Sequence, residues 1–143
     1  MRNLLVLLFL CCSLTISGAI YYVSPSGSDS NPGTIGQPFF TLNKAWSVVS
    51  AGDIVYMRGG TYHYGKTGTT LESKSGTSGN YITIENYPGE KPVISYGNVT
   101  LTSQLVGISM SDANYIHLKG IRVCYINQPA AGTIAQYGFL EQL

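Results

Sequence analysis

Residues 60 to 67, GTYHYGKT, match the spacing of a phosphate-binding loop, with Gly60 and Gly65 placed before Lys66 and Thr67. In such a loop, a glycine-rich turn follows a buried strand and opens a helix whose N-terminal amide groups hold the phosphate. The next twelve residues, GTTLESKSGTSG, are rich in glycine, serine and threonine and oppose a helix. We therefore expect an accidental match within a turn-rich loop, and no nucleotide binding.

The acidic residues are scattered and suggest neither a metal centre nor a pair of catalytic carboxylates. Asp29 and Asn31 could supply two oxygen ligands to calcium, which takes about six to eight, so turn formation explains this pair better. We predict no metal site in this chain. No two acids lie within three positions of each other, the full set being Asp29, Asp53, Glu72, Glu85, Glu90, Asp112 and Glu141.

Lys119 and Arg122 form the most suggestive cationic pair, on either side of Gly120. They are candidate substrate-binding residues for an anionic ligand, and the alternative is an ordinary solvent-facing surface of the fold. His117 is a weaker candidate base, because a single histidine in a strand pattern is typical of an exposed residue. Cys124 is expected to be a buried or half-buried strand thiol without a disulfide partner.

Composition favours an all-β protein with many tight turns. Of 143 residues only 10% are charged, whereas 17 are glycine and 11 are tyrosine. The formal net charge of +1 argues against binding to nucleic acid or an anionic membrane, since both need a concentrated basic surface. The tyrosines could line a groove on which sugar rings stack, or cover the edges of the fold.

Residues 1–19 are predicted to be a signal peptide, with Arg2 before an apolar run and small residues before a cleavage point after Ala19. The run from Leu4 to Ile16 is short for a bilayer-spanning helix, which needs about 20 apolar residues. We therefore expect a secreted protein, extracellular or periplasmic, that leaves the membrane once the leader is cleaved.

A repeated segment indicates how the strands are arranged. NYITIEN at residues 80–86 recurs as NYIHLKG at 114–120, VGISMS at 106–111 resembles YGFLEQ at 137–142, and PVISY at 92–96 corresponds to IRVCYI at 121–126. A unit of three short strands that repeats in this order is typical of a coil in a parallel β-solenoid.

Stacked coils would place defined residues next to each other. Alternation predicts Ile82 beside Ile116 in the interior, and Glu85 beside Lys119 as an exposed ion pair. Before the coils, TLNKAWSVVSAGD predicts one amphipathic helix that is capped by Thr41, ends at Gly52 and covers an apolar surface.

Residues 21 to about 126, through the stretches 21–65 and 76–95 above all, resemble the N-terminal part of secreted pectate-lyase-like proteins with the right-handed parallel β-helix fold, namely polysaccharide lyase family nine and its relatives. The most specific part is a capping helix followed by GD, a strand and GGTY. The resemblance implies β-elimination of pectate or other uronate polymers, with calcium bound by an aspartate cluster and a lysine as the base. An acidic polysaccharide is therefore the expected partner.

The resemblance also implies that this chain holds only part of such a protein. We expect a capping region at 20–52 and about three coils at 53–143, with the catalytic residues beyond Leu143. Such a fragment would be inactive, would need no cofactor itself although the full-length lyase needs calcium, and could self-associate through an open C-terminal edge. The alternative is a noncatalytic β-helix adhesin or carbohydrate-binding protein.

Overall fold

The computed structural model of the protein describes residues 18–64, 69–96, 106–124 and 137–141. Most of the predicted leader, and residues 65–67 of the phosphate-loop pattern, lie outside these ranges. The described elements are β1 (Ile20–Val23), α1 (Leu42–Val48), β2 (Ile54–Met57), β3 (Gly60–His63), β4 (Thr69–Glu72), β5 (Ile82–Asn86), β6 (Pro92–Ser95), β7 (Val106–Ser111), β8 (Ile116–Lys119), β9 (Arg122–Cys124) and β10 (Tyr137–Glu141).

The strands form three parallel sheets, and each coil contributes one strand to each sheet. The first sheet has the order β1-β2-β5-β8, the second β3-β6-β9 and the third β4-β7-β10. Strands that follow one another along a coil therefore belong to different sheets, and each pairs with the equivalent strand of the next coil. This confirms the predicted parallel β-helix and its all-β class.

The predicted register is confirmed in the first and third sheets. Ile82 pairs with Ile116 and Glu85 with Lys119 in the first sheet. In the third sheet, Ile108 pairs with Phe139, which is the offset that the repeat predicts. Because side chains alternate along a strand, this register places aliphatic side chains above one another inside the coils and polar ones outside.

The core lies where the inner faces of the three sheets meet. Val55 and Ile84 of the first sheet, Ile94 of the second, and Leu71 and Ile108 of the third are all buried. Burying one such side chain stabilises the fold by about 1.5–3 kcal/mol, so the column depends on its aliphatic interior more than on surface charges.

Helix α1 covers this core as predicted, but it is shorter than the sequence suggests. Thr41 accepts a hydrogen bond from the Lys44 amide and caps the start, and Trp46 is buried with its indole N–H 3.0 Å from the Glu72 carbonyl oxygen. The helix ends at Val48 instead of reaching Gly52. A contact from outside the helix explains this early end. The Lys74 ammonium donates hydrogen bonds to the carbonyl oxygens of residues 47 and 49 at 2.7 and 3.1 Å.

The proposed boundary between a capping region and the coils stays a prediction. Strand β1 precedes α1 and pairs in register with β2 as part of the first sheet. Within the described ranges, no helix is both long enough and apolar enough to cross a membrane.

Candidate functional site

Three stacked turns connect the first sheet to the second and bring charged residues together. They span residues 58–59, 87–91 and 120–121, and the strands on both sides pair in register, so the turns lie above one another. The turns at Gly89 and Gly120 use backbone φ values of 77° and 70°, which favour glycine. We call this surface the basic corner; its charged residues are the cations Arg58, Lys91, Lys119 and Arg122 and the anions Glu85 and Glu90.

Arg58 is held rigidly in the basic corner. Its Nε and Nη2 donate to both carboxylate oxygens of Glu90 at 2.8–3.1 Å, and its guanidinium lies 4.8 Å from the ring centroid of Tyr87. The Gly59 amide adds a 2.5 Å hydrogen bond to Glu90. The side chain of Tyr62, which is fully buried, has its hydroxyl 2.7 Å from the Arg58 carbonyl oxygen.

These contacts set the protonation of the pair. Hydrogen bonds from Arg58 and from the Gly59 amide hold the pKa of the Glu90 carboxyl below its usual value, and the bond to Glu90 raises the pKa of Arg58. The pair therefore stays ionised through the neutral range and its two charges cancel.

The two residues singled out from sequence, Lys119 and Arg122, lie at either end of the third turn. Lys119 forms the predicted ion pair with Glu85 at 2.6 Å, while 63% of its side-chain surface stays exposed. The hydrogen bond to Glu85 raises the pKa of Lys119, so its ammonium is charged at neutral pH. Arg122 is exposed, pairs with Val93 through the backbone, and has no ion-pair partner in the described ranges.

The outer face of the first sheet carries two groups of aromatic side chains. Tyr22, Tyr56 and Tyr87 form one group with ring centroids 5.7–6.1 Å apart, next to the basic corner. In the second group His117 stacks on Tyr81 with centroids 4.2 Å apart.

The second aromatic group includes a residue with an unusual backbone. Tyr115 contacts Tyr81 edge-on with ring centroids 5.7 Å apart and is 48% exposed. Its φ of 55° lies in the left-handed region, which a bulky side chain rarely adopts. The side chain is therefore held outward from a turn that would suit glycine or asparagine better.

A pocket of about 460 Å³ lies beside the basic corner. One wall is the loop at residues 24–38, and the other is formed by Arg58, Gly59 and Glu90. We call it the loop pocket. It is lined mainly by polar groups, and the aliphatic side chain of Ile35 is also part of its lining.

The remaining sequence candidates have structural roles. Gly60–His63 is strand β3, so the first half of the phosphate-loop pattern is extended. The Asn31 amide donates to the Ser28 carbonyl oxygen at 3.0 Å, which confirms turn formation there, and the Asp29 carboxylate accepts hydrogen bonds from the amides of Phe40 and Thr41 at 2.9 and 2.8 Å. Cys124 is a half-buried free thiol in β9, as expected.

Calcium does not fit the acids that the structure describes. Asp53 is buried and accepts from the amides of Ala19 and Ser50, and Glu85 and Glu90 are each paired with a cation. In the described ranges, no group of three His, Cys, Asp or Glu residues is placed to hold a metal ion. These carboxylates therefore offer no donor set for an ion that needs about six to eight oxygens.

Sequence reasoning missed the Arg58–Glu90 pair and the loop pocket. Strand register could have revealed part of this site, because the register that pairs Met57 with Asn86 also brings Arg58 next to Tyr87. Glu90 lies four residues further on, within a turn, and its position depends on the Asn86 side chain, which donates to the carbonyl oxygens of residues 87 and 90.

The fold and this surface can now be compared with known proteins. The family model described as "Pel9A-like, right handed beta helix region" matches residues 21–142. The chain belongs to this family. The Pel9A-like assignment agrees with the three parallel sheets and with the resemblance noted in the sequence.

Two curated proteins and one solved structure illustrate the similarity. The chain is 50% identical over 111 residues to the uncharacterised protein YwoF of Bacillus subtilis strain 168, covering 75% of this chain and 22% of YwoF. It is 33% identical over 111 residues to pectate lyase L of Paenibacillus polymyxa strain SC2, covering 78% of this chain and 24% of that lyase. A rhamnogalacturonan lyase superposes with a TM-score of 0.76 and 31% identity, over 87% of this chain and 33% of that one.

The chain therefore spans less than a quarter of the length of these two curated relatives. The matched region includes the basic corner and both aromatic groups.

Proposed function

We propose that this chain is part of a pectate-lyase-like enzyme that degrades uronate polymers by β-elimination, and that its coils contribute a contact surface for the polymer. The observation that carries the proposal is the Pel9A-like match over residues 21–142. A pectate lyase relative supports the substrate class. A noncatalytic adhesin or carbohydrate-binding protein is not favoured, because the comparisons include named lyases.

Within the proposed function, the basic corner contacts the carboxylates of the polymer. It has four cations against two anions, and Lys119 and Arg122 are both exposed. The planar fork of Arg122 suits a carboxylate, and Lys119 adds a point charge next to it. Although Lys119 is paired with Glu85, 63% of its side-chain surface is exposed, so its ammonium can still approach an anionic ligand.

The elimination chemistry itself is not assigned to the described residues. Four of the acids there have structural partners: Asp29 and Asp53 accept hydrogen bonds from backbone amides, and Glu85 and Glu90 are paired with cations. We propose that the calcium expected of a full-length lyase is bound elsewhere in that enzyme, and that this chain needs none for its own contacts.

A comparison of two polymers tests the proposal. The exported chain should bind polygalacturonate and bind its fully methyl-esterified form much more weakly, because the ester removes the charges that the corner recognises. Affinity electrophoresis in gels that contain either polymer measures this difference. Equal retardation by both polymers, or by neither, would contradict the proposal.

The same mixtures can be followed by ultraviolet absorbance for unsaturated uronate products. We expect none from this chain, with or without added calcium, because no group of three His, Cys, Asp or Glu residues in the described ranges is placed to hold the metal ion. A calcium-dependent rise in absorbance would show that an elimination site was overlooked.

We also propose that the leader at residues 1–19 directs export and is then removed. N-terminal sequencing of protein recovered from the medium or periplasm of an expressing bacterium should begin at Ile20. Retention in the cytoplasm, or a start at Met1, would contradict this.

A further inference from the structure

We propose that the loop pocket binds a single neutral pyranose ring. If the proposed function holds, the bound ring is a neutral sugar in the backbone or a side chain of the polymer, and it lies beside the anionic sugars that the basic corner contacts. That last step rests on the proposed function, whereas the binding of the ring does not.

Hydroxyl-bearing ligands suit the polar groups that line the pocket. The Ser24 and Ser26 hydroxyls lie 3.0 Å apart and each can donate or accept. Asn31 uses its Nδ2 on the Pro38 carbonyl oxygen at 2.9 Å, and its Oδ1 has no donor among the described residues. A sugar hydroxyl both donates and accepts, so it can satisfy each of these groups.

Arg58 supplies further donors without adding net charge. Its hydrogen bonds to Glu90 use Nε and Nη2, which leaves the N–H groups of Nη1 without an acceptor among the described residues. Glu90 neutralises the guanidinium, and it presents a carboxylate that would repel a second one. The pocket therefore favours a neutral ligand over a uronate.

Ile35 gives the pocket an apolar side. Its side chain is 51% exposed, one of the most exposed aliphatic residues in the described ranges, and it lines the pocket. A pyranose ring has a polar rim of hydroxyls and a face of C–H groups, and a pocket lined by polar groups and one exposed aliphatic side chain offers contacts to both.

The loop that forms one wall of the pocket is held by its own hydrogen bonds. The loop at residues 24–38 is tied across its base by hydrogen bonds from Ser28 to Pro38 at 3.1 Å and from Gly33 to Gln37 at 3.0 Å. Gly33 has a φ of 82° and lies so close to the Phe39 ring that a Cβ would stand 2.3 Å from it. In a preorganised pocket, little binding free energy is lost to ordering the loop when a ligand binds.

The volume is also appropriate. At about 460 Å³ the pocket lies within the range of roughly 300–1,000 Å³ that is common for small-molecule sites. It accommodates one sugar ring with some water, and no more than a short piece of polymer.

A matched pair of sugars tests the inference. Methyl β-D-galactopyranoside and its uronic acid counterpart differ only at the carboxylate, and each can be titrated into the isotope-labelled exported chain by NMR. The neutral sugar should shift the amide signals of Gly36 and Gly59 with a Kd on the order of 1 mM. The uronate should bind at least about fivefold more weakly.

Two variants place the binding in the pocket. Ser26→Ala and Ile35→Ser change exposed side chains, and each should weaken binding of the neutral sugar by about threefold or more. Val48→Ser is the matched control, because Val48 is likewise an exposed aliphatic residue, 37% accessible, but lies on α1 outside the pocket. The dispersion of each spectrum shows that the variant is folded.

Each outcome decides the inference. Absence of shifts up to about 20 mM neutral sugar, roughly twenty times the expected Kd, overturns it. If the uronate binds as tightly as the neutral sugar or more tightly, the pocket does not select a neutral ligand. If the neutral sugar binds both variants as tightly as the parent chain, the binding site is not the loop pocket. If polygalacturonate binds the chain while the neutral sugar does not, only this inference fails and the proposed function stands.

Discussion

Arg58 is the residue that connects the structural features of the candidate site. It pairs with Glu90, lies over Tyr87, and is fixed through its backbone by Tyr62. The same side chain belongs to the basic corner and to the wall of the loop pocket. A residue with this many partners orients both surfaces, so its environment should be visible in the pH dependence of stability.

Glu90→Gln tests that pairing. The pKa of Glu90 is lowered in the folded protein, so its contribution to the free energy of unfolding is present above the ordinary glutamate pKa of about 4.3 and is lost as the pH falls through the folded value. At pH 7 the variant should be less stable by at most about 1 kcal/mol, because the pair is partly exposed. Below about pH 4 the difference in the free energy of unfolding between this variant and the wild type should shrink, because Glu90 becomes protonated in the wild type.

Urea unfolding at pH 7 and near pH 3.5 measures both values. Glu72→Gln is the control, since Glu72 is an exposed acid without an ion pair in the described ranges. A difference between wild type and Glu90→Gln that stays constant across this pH range would contradict the assigned role.

Some of these contacts could be predicted from sequence and others could not. The ion pair between Lys119 and Glu85 follows from strand register alone, and it is present in the structure. The pairing of Arg58 with Glu90 joins residues 32 positions apart through a turn whose conformation depends on Gly89, with a φ of 77°. A repeat in the sequence predicts which strands stack, but it carries no information about how such a turn closes.

At the scale of the elements, alternation decides which face of each strand is buried. Ile84 of β5 is fully buried between Val55 and Leu118 of the neighbouring coils, while the adjacent Thr83 points outward. This pattern was readable because it repeats 34 residues later in β8. The short sequence of one strand would not have been enough.

Ile84→Ala should therefore destabilise the protein by roughly 2–5 kcal/mol, through lost burial and the cavity left behind. Thr83→Ala, one position away on the outer face, should change stability by about 0.5 kcal/mol or less. Chemical denaturation of both variants compares them. Similar losses for the two would mean that β5 does not have one buried and one open face.

The end of α1 shows where element boundaries escape sequence reasoning. The pattern of apolar residues continues to Val49, and that side chain is indeed buried. The backbone nevertheless leaves the helix after Val48, because Lys74 and Asp53 bind the groups that a further turn would have used. Asp53 directly precedes β2 and Lys74 follows β4, so the C-terminal end of α1 depends on tertiary contacts.

At the scale of the whole molecule, the site exists only because the coils stack. Arg58 and Glu90 lie in the first two turns and Arg122 at the end of the third, and these turns, far apart in sequence, become neighbours through parallel pairing. The chain belongs to the Pel9A-like family, and the region matched is less than a quarter of the length of the two curated relatives. Fold and family could be predicted from sequence, whereas the loop pocket depends on a turn and a loop that meet only in the folded protein.

Polymer binding by the double variant Lys119→Ala/Arg122→Ala tests the central claim most directly. At low ionic strength it should bind polygalacturonate about tenfold more weakly than the parent chain, because two exposed cations of the basic corner are lost. Lys44→Ala, which removes a cation from α1 instead, should bind like the parent. If the double variant binds as tightly as the parent, or if Lys44→Ala weakens binding as much, the basic corner is not the surface that meets the polymer.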